Sequence, residues 1–342
     1  MNEARLRLAH AELDPERLRR LLGEVGTERE AVRALRRGRH RLSPRAAEAL
    51  GRPVGELMEG LAENGARFID RDRLPGGLLA AGDPLPGLFV RGALPHTGGV
   101  AVVGSRRATR YGLQIAEAIG RRLAAAGRVV VSGLARGVDG AAHRGCVEAG
   151  GVGVAVLGSG IDVWYPPEHR GLGEQLLEGG GAVVSEYPPG TPPAPWRFPC
   201  RNRLIVGLSE AVIVVEAAAK SGALITAREA LERGRDVYVV PGDIDRPTSE
   251  GCNRLIQDGA HPVCGLEDLD TLLQLALGPP GGASPGPGGL VGRSVEDLLA
   301  EADDPRACLV ELGRLEAEGK IHIAGGVVRE AGGRVGNRPG TR

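Results

Sequence analysis

Five short segments of the chain gather small and hydroxyl-bearing residues, and three of them add a cation. They are Gly104-Ser105-Arg106-Arg107, Ser132-Gly133-Leu134-Ala135-Arg136-Gly137 and Lys220-Ser221-Gly222, with Gly158-Ser159-Gly160 and Ser185-Glu186-Tyr187 beside them. Small residues let backbone N–H groups approach an anion, and a neighbouring guanidinium or ammonium adds charge-assisted hydrogen bonds to phosphate. Repetition of the pattern at successive loops predicts an anion site. It is not a dinucleotide fingerprint, because Arg106 stands where a pyrophosphate needs close backbone approach and the next glycine is Gly112. Nor is it a Walker A loop, since Lys220-Ser221 lacks the preceding glycine frame.

The aromatic residues narrow the anion. Only nine occur, and five of them (Trp164, Tyr165, Tyr187, Trp196, Phe198) fall within 164–198, alongside Arg170, Arg197, Arg201 and Arg203. Rings beside guanidinium groups suit unpaired bases and their phosphates. Phe198, between arginines and prolines before a helix, is the candidate stacking ring, while Trp164 and Tyr187 read equally well as core anchors. Asp139 and His143 share a helix face at i and i+4, but a metal site would need a third ligand, so the pair is read as a structural contact. Glu186 and Glu216 end strands near the presumed cleft, which leaves a catalytic carboxylate open. The five cysteines are scattered without a CxxC or a Cys/His cluster, against both zinc and a disulfide framework.

These loops must be held by something regular. Apolar β-branched runs at 100–103, 129–131, 152–157, 182–184, 212–215 and 237–240 alternate with helix-length segments such as 113–126 and 223–233, and 201–208 reads as a further helix. The pattern predicts an α/β fold: a Rossmann-like, doubly wound, mostly parallel sheet over residues 66–275, with ligands at the carboxyl ends of its strands. Residues 1–65 read as a small helical module. Its first 52 residues hold 13 arginines against eight acids, a mildly basic face better read as solvated than as a binding surface. Residues 279–292 have the composition of a Gly/Pro linker. Beyond them, Ser294 opens a helix, a second covers 305–318, and Gly325-Gly326 turns a hairpin, so 293–335 is expected to be winged-helix-like.

Lysine plus arginine equals aspartate plus glutamate at 43 each, so a nucleic-acid site must be a local patch rather than a global field. Only two of those cations are lysines, a bias that reduces the weight of arginine abundance by itself. With no long apolar run and no signal-peptide pattern, the chain is expected in the cytoplasm without membrane contact.

The sequence resembles the DNA-processing protein A family of bacteria (DprA, also called Smf). The resemblance rests on Phe89-Val90-Arg91-Gly92, Val102-Val103-Gly104-Ser105-Arg106, Ser132 to Asp139, and Gly160-Ile161-Asp162-Val163-Trp164-Tyr165-Pro166. It continues through Ser185-Glu186-Tyr187-Pro188, Phe198-Pro199-Cys200-Arg201-Asn202-Arg203, Lys220 to Thr226 and Val240-Pro241-Gly242, covering about 66–265. It implies a non-enzymatic, cofactor-free protein that binds single-stranded DNA, forms homodimers and loads a RecA-type recombinase on incoming DNA during natural transformation. Carried over by position, Arg106 is the principal phosphate ligand, with Ser105, Arg107, Ser132 and Gly133 in the adjoining loops. Phe198, Arg201, Asn202 and Arg203 belong to the same pocket, with Lys220, Ser221 and Gly222 at its floor. Relatives carry a basic residue soon after the Tyr-Pro pair; Pro167 and Glu168 follow here, and Arg170 is the substitute. One alternative is a nucleotide phosphoribohydrolase of the LOG type (lysine-decarboxylase-like), echoed by Ser221 to Thr226 before Glu229. That class's Pro-Gly-Gly-x-Gly-Thr run is missing, because Pro241-Gly242 continues Asp243-Ile244. The other alternative is a DNA-independent scaffold.

Overall fold

The computed structural model describes residues 1–38, 40–79, 83–95, 98–277, 293–301, 308–309, 312–313, 315–316, 321–324 and 327–330. The chain divides into two compact units, Met1–Leu269 and Asp270–Arg342. The first contains both the amino-terminal helices and the sheet. The expected linker at 279–292 lies outside the described residues.

Five short helices open the first unit: α1 (Glu3–His10), α2 (Pro15–Val25), α3 (Glu28–Arg36), α4 (Pro44–Gly51) and α5 (Val54–Glu63). Asn2, Asp14, Thr27 and Ser43 cap the first four, each side chain accepting from a backbone N–H of the first turn. Proline at the first helical position of α2 and α4 adds a preset φ. Leu8, Leu18, Leu21, Val32, Leu35 and Leu50 close a small apolar core among them. The opposite side of α1 faces the sheet, where Leu6 packs with Phe68 and Phe89 and the His10 ring meets Phe89 edge-on at 5.2 Å. Arg5 fixes the same junction through Glu28, Asp70 and Asp72.

Nine strands form one sheet: β1 (Arg67–Asp70), β2 (Gly87–Gly92), β3 (Gly99–Gly104), β4 (Val130–Ser132), β5 (Gly153–Gly160), β6 (Ala182–Tyr187), β7 (Ser209–Val215), β8 (Asp236–Val239) and β9 (His261–Pro262). Their order is β1-β2-β6-β5-β4-β3-β7-β8-β9. The seven strands from β6 to β9 run parallel, and each apolar run read from the sequence is one of the inner strands. β1 and β2 add an antiparallel edge. Apolar periodicity did not announce this edge, because four- and six-residue strands carry too little of it.

Between the strands run α6 (Arg110–Ala125), α7 (Val138–Glu148), α8 (Arg170–Glu178), α9 (Arg197–Gly207), α10 (Gly222–Glu232) and α11 (Glu250–Gln257), and α12 (Leu266–Leu277) follows β9. Alternate strand residues serve opposite layers. Ala101, Val131, Val156, Val184 and Val212 pack with Leu204 of α9 and Ala227 of α10, whereas Ala155, Leu157 and Val183 pack with α1, α5 and α8. The chain moves from β3 through β4 and β5 to β6, then returns through α9 to place β7 on the other side of β3. The connections therefore diverge at β3, and the crevice beyond the carboxyl ends of the neighbouring strands is where such a sheet receives ligands.

In the second unit, α13 (Val295–Glu301) precedes a hairpin of β10 (Ile321–Ala324) and β11 (Val327–Glu330), with Leu298, Leu312, Leu315 and Val328 buried together. The expected helix at 305–318 and the Gly325-Gly326 turn lie largely outside the described residues. Among the described residues, no helix is long and apolar enough to cross a membrane.

Candidate functional site

A cleft of about 220 Å³ opens at the carboxyl ends of β3, β4 and β5. The loop after β3 contributes Arg106 and Arg107, the loop after β4 contributes Gly133, Ala135 and Arg136, Tyr165 and Pro166 follow β5, and α9 supplies Phe198 and Arg201. The first two loops are drawn tightly together: the Val138 N–H donates to the Ser105 carbonyl at 3.2 Å, and a β-carbon on Gly137 would collide with that same oxygen. Gly137 also has φ +78°, so a side chain is excluded twice. The amides of Arg106 and Arg136 have no partner among the described residues, whereas the Ala135 N–H, like that of Gly133, is engaged by the buried Asp139 carboxyl.

The cleft has a cationic and an aromatic wall. The exposed Arg106 guanidinium lies over the Phe198 ring at 4.7 Å, and Tyr165 lies 5.3 Å from that ring at a 31° tilt. The Tyr165–Pro166 peptide is cis. Arg107 is exposed and free of acid partners among the described residues, whereas Arg136 reaches Glu168 at 2.5 Å across the mouth of the cleft. Arg136 and Tyr165 were visible in the sequence motifs but not assigned to the site. Their signal was position: each lies in the loop that leaves a strand end, β4 for Arg136 and β5 for Tyr165.

Arg201 lines the cleft in a different capacity. It is 3% exposed, and its Nη1 donates to the Gly133 carbonyl at 2.8 Å and to the Val156 carbonyl. Burial pushes its pKa down to about 10, which leaves it charged at neutral pH. The Asp139 carboxyl is pushed up by burial and drawn back by Arg201; it accepts the Gly133 N–H at 3.1 Å. Gly133 thus borders the cleft with its amide already engaged. Ser132 is fully buried and donates to the Val102 carbonyl, so its hydroxyl ties β4 to β3.

The remaining expected ligands fan out from α9. Successive helix residues point about 100° apart. Arg201 therefore faces the strand ends, Asn202 turns to the Gly222 carbonyl at a marginal 3.5 Å, and Arg203 turns to Asp83 and Glu186. There Arg203 is 9% exposed, with Nη1 3.0 Å from Asp83 and Nη2 on Glu186. Lys220, Ser221 and Gly222 flank Asn202 at the amino end of α10, where Ser221 caps the helix; none of the three lines the cleft with Arg106. Arg170 is exposed at the start of α8 and is likewise absent from that lining.

Both strand-end carboxylates have internal partners. Glu186 serves Arg203, and burial pushes its carboxyl upward against that pairing. Glu216, in the left-handed region at φ +51°, accepts from the Thr109 N–H at 2.8 Å and from the Thr109 hydroxyl at the start of α6. A carboxylate therefore occupies the β3/β7 side of the crevice, and the open cleft lies on the β3/β4/β5 side. His143 is fully buried and pushed down to about 3, mainly by desolvation, so it is neutral.

Comparison with known proteins gives this arrangement a lineage. The family model described as DNA recombination-mediator protein A matches residues 66–274, the whole span that builds the cleft. The chain belongs to the DNA recombination-mediator protein A family. Protein Smf of Escherichia coli is 47% identical over 210 residues, 61% of this chain and 56% of that protein. DNA processing protein DprA of Streptococcus pneumoniae is 45% identical over 170 residues, 50% of this chain and 60% of the relative. The match thus spans little more than half the length of these relatives. Among solved structures, that of the S. pneumoniae protein has a TM-score of 0.58 at 38% identity, covering 66% of this chain and 80% of its own. DNA processing protein A of Helicobacter pylori, described with a single-stranded DNA binding mode, has a TM-score of 0.55 at 29% identity, covering 62% and 97%.

Proposed function

We propose that this protein binds single-stranded DNA in the β3/β4/β5 cleft and acts as a non-enzymatic recombination mediator. The reading is carried by one observation: an exposed arginine stacked on an accessible phenylalanine, in a cleft bordered by the unpaired amides of Arg106 and Arg136. A phosphate would lie between Arg106, Arg107 and those amides, with a base against Phe198 and Tyr165. Arg136 would join them by exchanging Glu168 for phosphate. Arg201, Ser132 and Gly133 shape the cleft, Arg203 is held away from it by Asp83 and Glu186, and Asn202, Lys220, Ser221, Gly222 and Arg170 are candidates for the outer path of a longer strand. Family membership and the single-stranded DNA described for the H. pylori relative support this ligand.

Delivery of the bound strand to a RecA-type recombinase during natural transformation, action as a homodimer in the cytoplasm, and a winged-helix role for the second unit complete the proposal. The hydrolase alternative gains nothing from the geometry, because Glu229 is paired with Arg233 along α10 at 2.8 Å.

The test is oligonucleotide binding across a salt series. Single strands of mixed sequence should bind better than duplex, with a log–log slope of about −0.7 per phosphate contacted. Arg106→Ala should weaken binding to every sequence and make the slope shallower by roughly one contact. Parental affinity in that variant would place the strand elsewhere.

A further inference from the structure

A second cavity, of about 200 Å³, lies where the amino-terminal helices meet the start of α9. Its walls include Glu12, Arg17 and Arg41 from the helical module and Trp196 and Arg197 from the sheet-bearing part. Trp196 is 43% exposed, unusual for so large an apolar ring in a chain with two tryptophans. Beneath it Arg197, only 7% exposed, stacks on both Tyr187 at 4.6 Å and Trp196 at 5.1 Å and donates to Glu12 at 2.8 Å. Its Nε has no partner among the described residues. These contacts hold the indole in place rather than leaving it loose.

The charge balance of the cavity is positive. Glu12 is consumed by Arg197 and by Arg45 at 3.5 Å, and Asp14 is committed to capping α2. Arg17 donates one N–H to the Arg41 carbonyl at 2.9 Å, which pins the loop carrying Arg41. Neither guanidinium has an acid partner among the described residues. A pre-positioned ring flanked by two unneutralised arginines repeats, in other residues, the composition of the cleft at Arg106 and Phe198.

Both sites border the amino end of α9, one through Phe198 and the other through Trp196 and Arg197. Phe198 and Trp196 are two positions apart, on opposite flanks of the first turn of α9. A strand leaving the cleft over the amino end of α9 meets Trp196 next.

We propose that the seam between the helical module and the sheet is a second single-stranded DNA subsite, in which Trp196 stacks a base and Arg17 and Arg41 hold the adjoining phosphates. This rests on the reading of the cleft as a single-strand site and extends it: the module, whose basic face the sequence left as solvated surface, becomes part of the DNA path.

The test uses the full chain and oligothymidylates of about 4 to 20 nucleotides, read by fluorescence anisotropy. The parent should gain affinity with length beyond what the cleft accommodates. Arg17→Ala/Arg41→Ala should keep short-oligonucleotide affinity, lose the length-dependent gain and flatten the salt slope by about 1.4, for two phosphates. Trp196→Ala should weaken long strands roughly tenfold, and Trp196→Phe should recover most of that. Thermal melting of each variant separates lost binding from lost folding, and the surface arginine pair keeps the test open if Trp196→Ala unfolds. Parental binding of long strands by both the arginine pair and a folded Trp196 variant overturns the subsite while leaving the cleft intact. Failure of the parent to bind any single strand overturns the cleft reading itself.

Discussion

Lowering the pH should loosen the contact between α1 and the sheet, and His10 sets how much. Its ring is 6% exposed; Nδ1–H donates to the Leu6 carbonyl at 2.9 Å, and the ring edge meets Phe89. Burial, helped by the charges of Arg45, Arg7 and Arg52, pushes its pKa down to about 4 from 6.5. The unfolded chain therefore binds the proton more readily than the folded one. The stability gained by keeping His10 neutral is complete above about pH 6.5 and drains as the pH falls towards about 4. With those two values, His10 alone accounts for a loss of about 2 kcal/mol between about pH 7 and pH 5. His143, pushed down to about 3, acts in the same direction over the same window. Glu186 and Asp139 act oppositely: both carboxyls are raised, so their contribution is present at low pH and lost as the pH rises. A difference measurement cancels these other groups. Guanidinium unfolding, followed by the fluorescence of Trp164 and Trp196, both in the first unit, should be compared for the parent and His10→Gln at the two pH values. The variant should lose about 2 kcal/mol less on acidification than the parent. Equal losses would mean that His10 titrates normally and that α1 is not held by a neutral imidazole.

Two further outcomes follow from the packing around the cleft. Arg203→Leu leaves the buried Glu186 without its cation and Asp83 with only Arg233 at 3.7 Å, and should cost about 3–5 kcal/mol of stability in denaturant melts, whereas Arg106→Ala, at an exposed position, should leave the melt nearly unchanged. Gly120→Ala would drive a methyl group of α6 into the Ala142 carbonyl of α7, so a melt should show a loss of about 1–3 kcal/mol or more; an unchanged midpoint would mean that the two helices can separate without cost.

The inner strands were legible because a buried parallel strand must be a short continuous apolar run, and Val100–Val103 or Val212–Val215 can hardly be anything else between helices. Residues 1–65 were legible as a helical module, but its helix starts were not read, although Asp14-Pro15 and Ser43-Pro44 carry their own caps. The loops at the strand ends, and the expectation of an anion site beyond them, came from the same local patterns. The short antiparallel edge of β1 and β2 did not, since its pairing depends on a partner strand, β6, about ninety residues along the chain.

The selection of residues within the site was a tertiary matter. Arg201, Asn202 and Arg203 look equivalent as neighbours in a motif, yet a helix sends them in three directions. Whether a guanidinium waits for phosphate or is consumed depends on what lies across the gap. For Arg203 that is Asp83 and Glu186, and for Arg201 the carbonyls of Gly133 and Val156; neither set is local to α9. Arg106 stacks on a phenyl ring and forms no ion pair among the described residues; the buried Asp139 and Arg201 are its charged neighbours, so its guanidinium stays accessible. The sequence by itself determined the inner strands, the helices between them and the strand-end loops in which small residues and cations gather. Only the tertiary structure decided which cations remain free, because neutralising a charge takes a partner within a few ångströms, and distance along the chain says little about that.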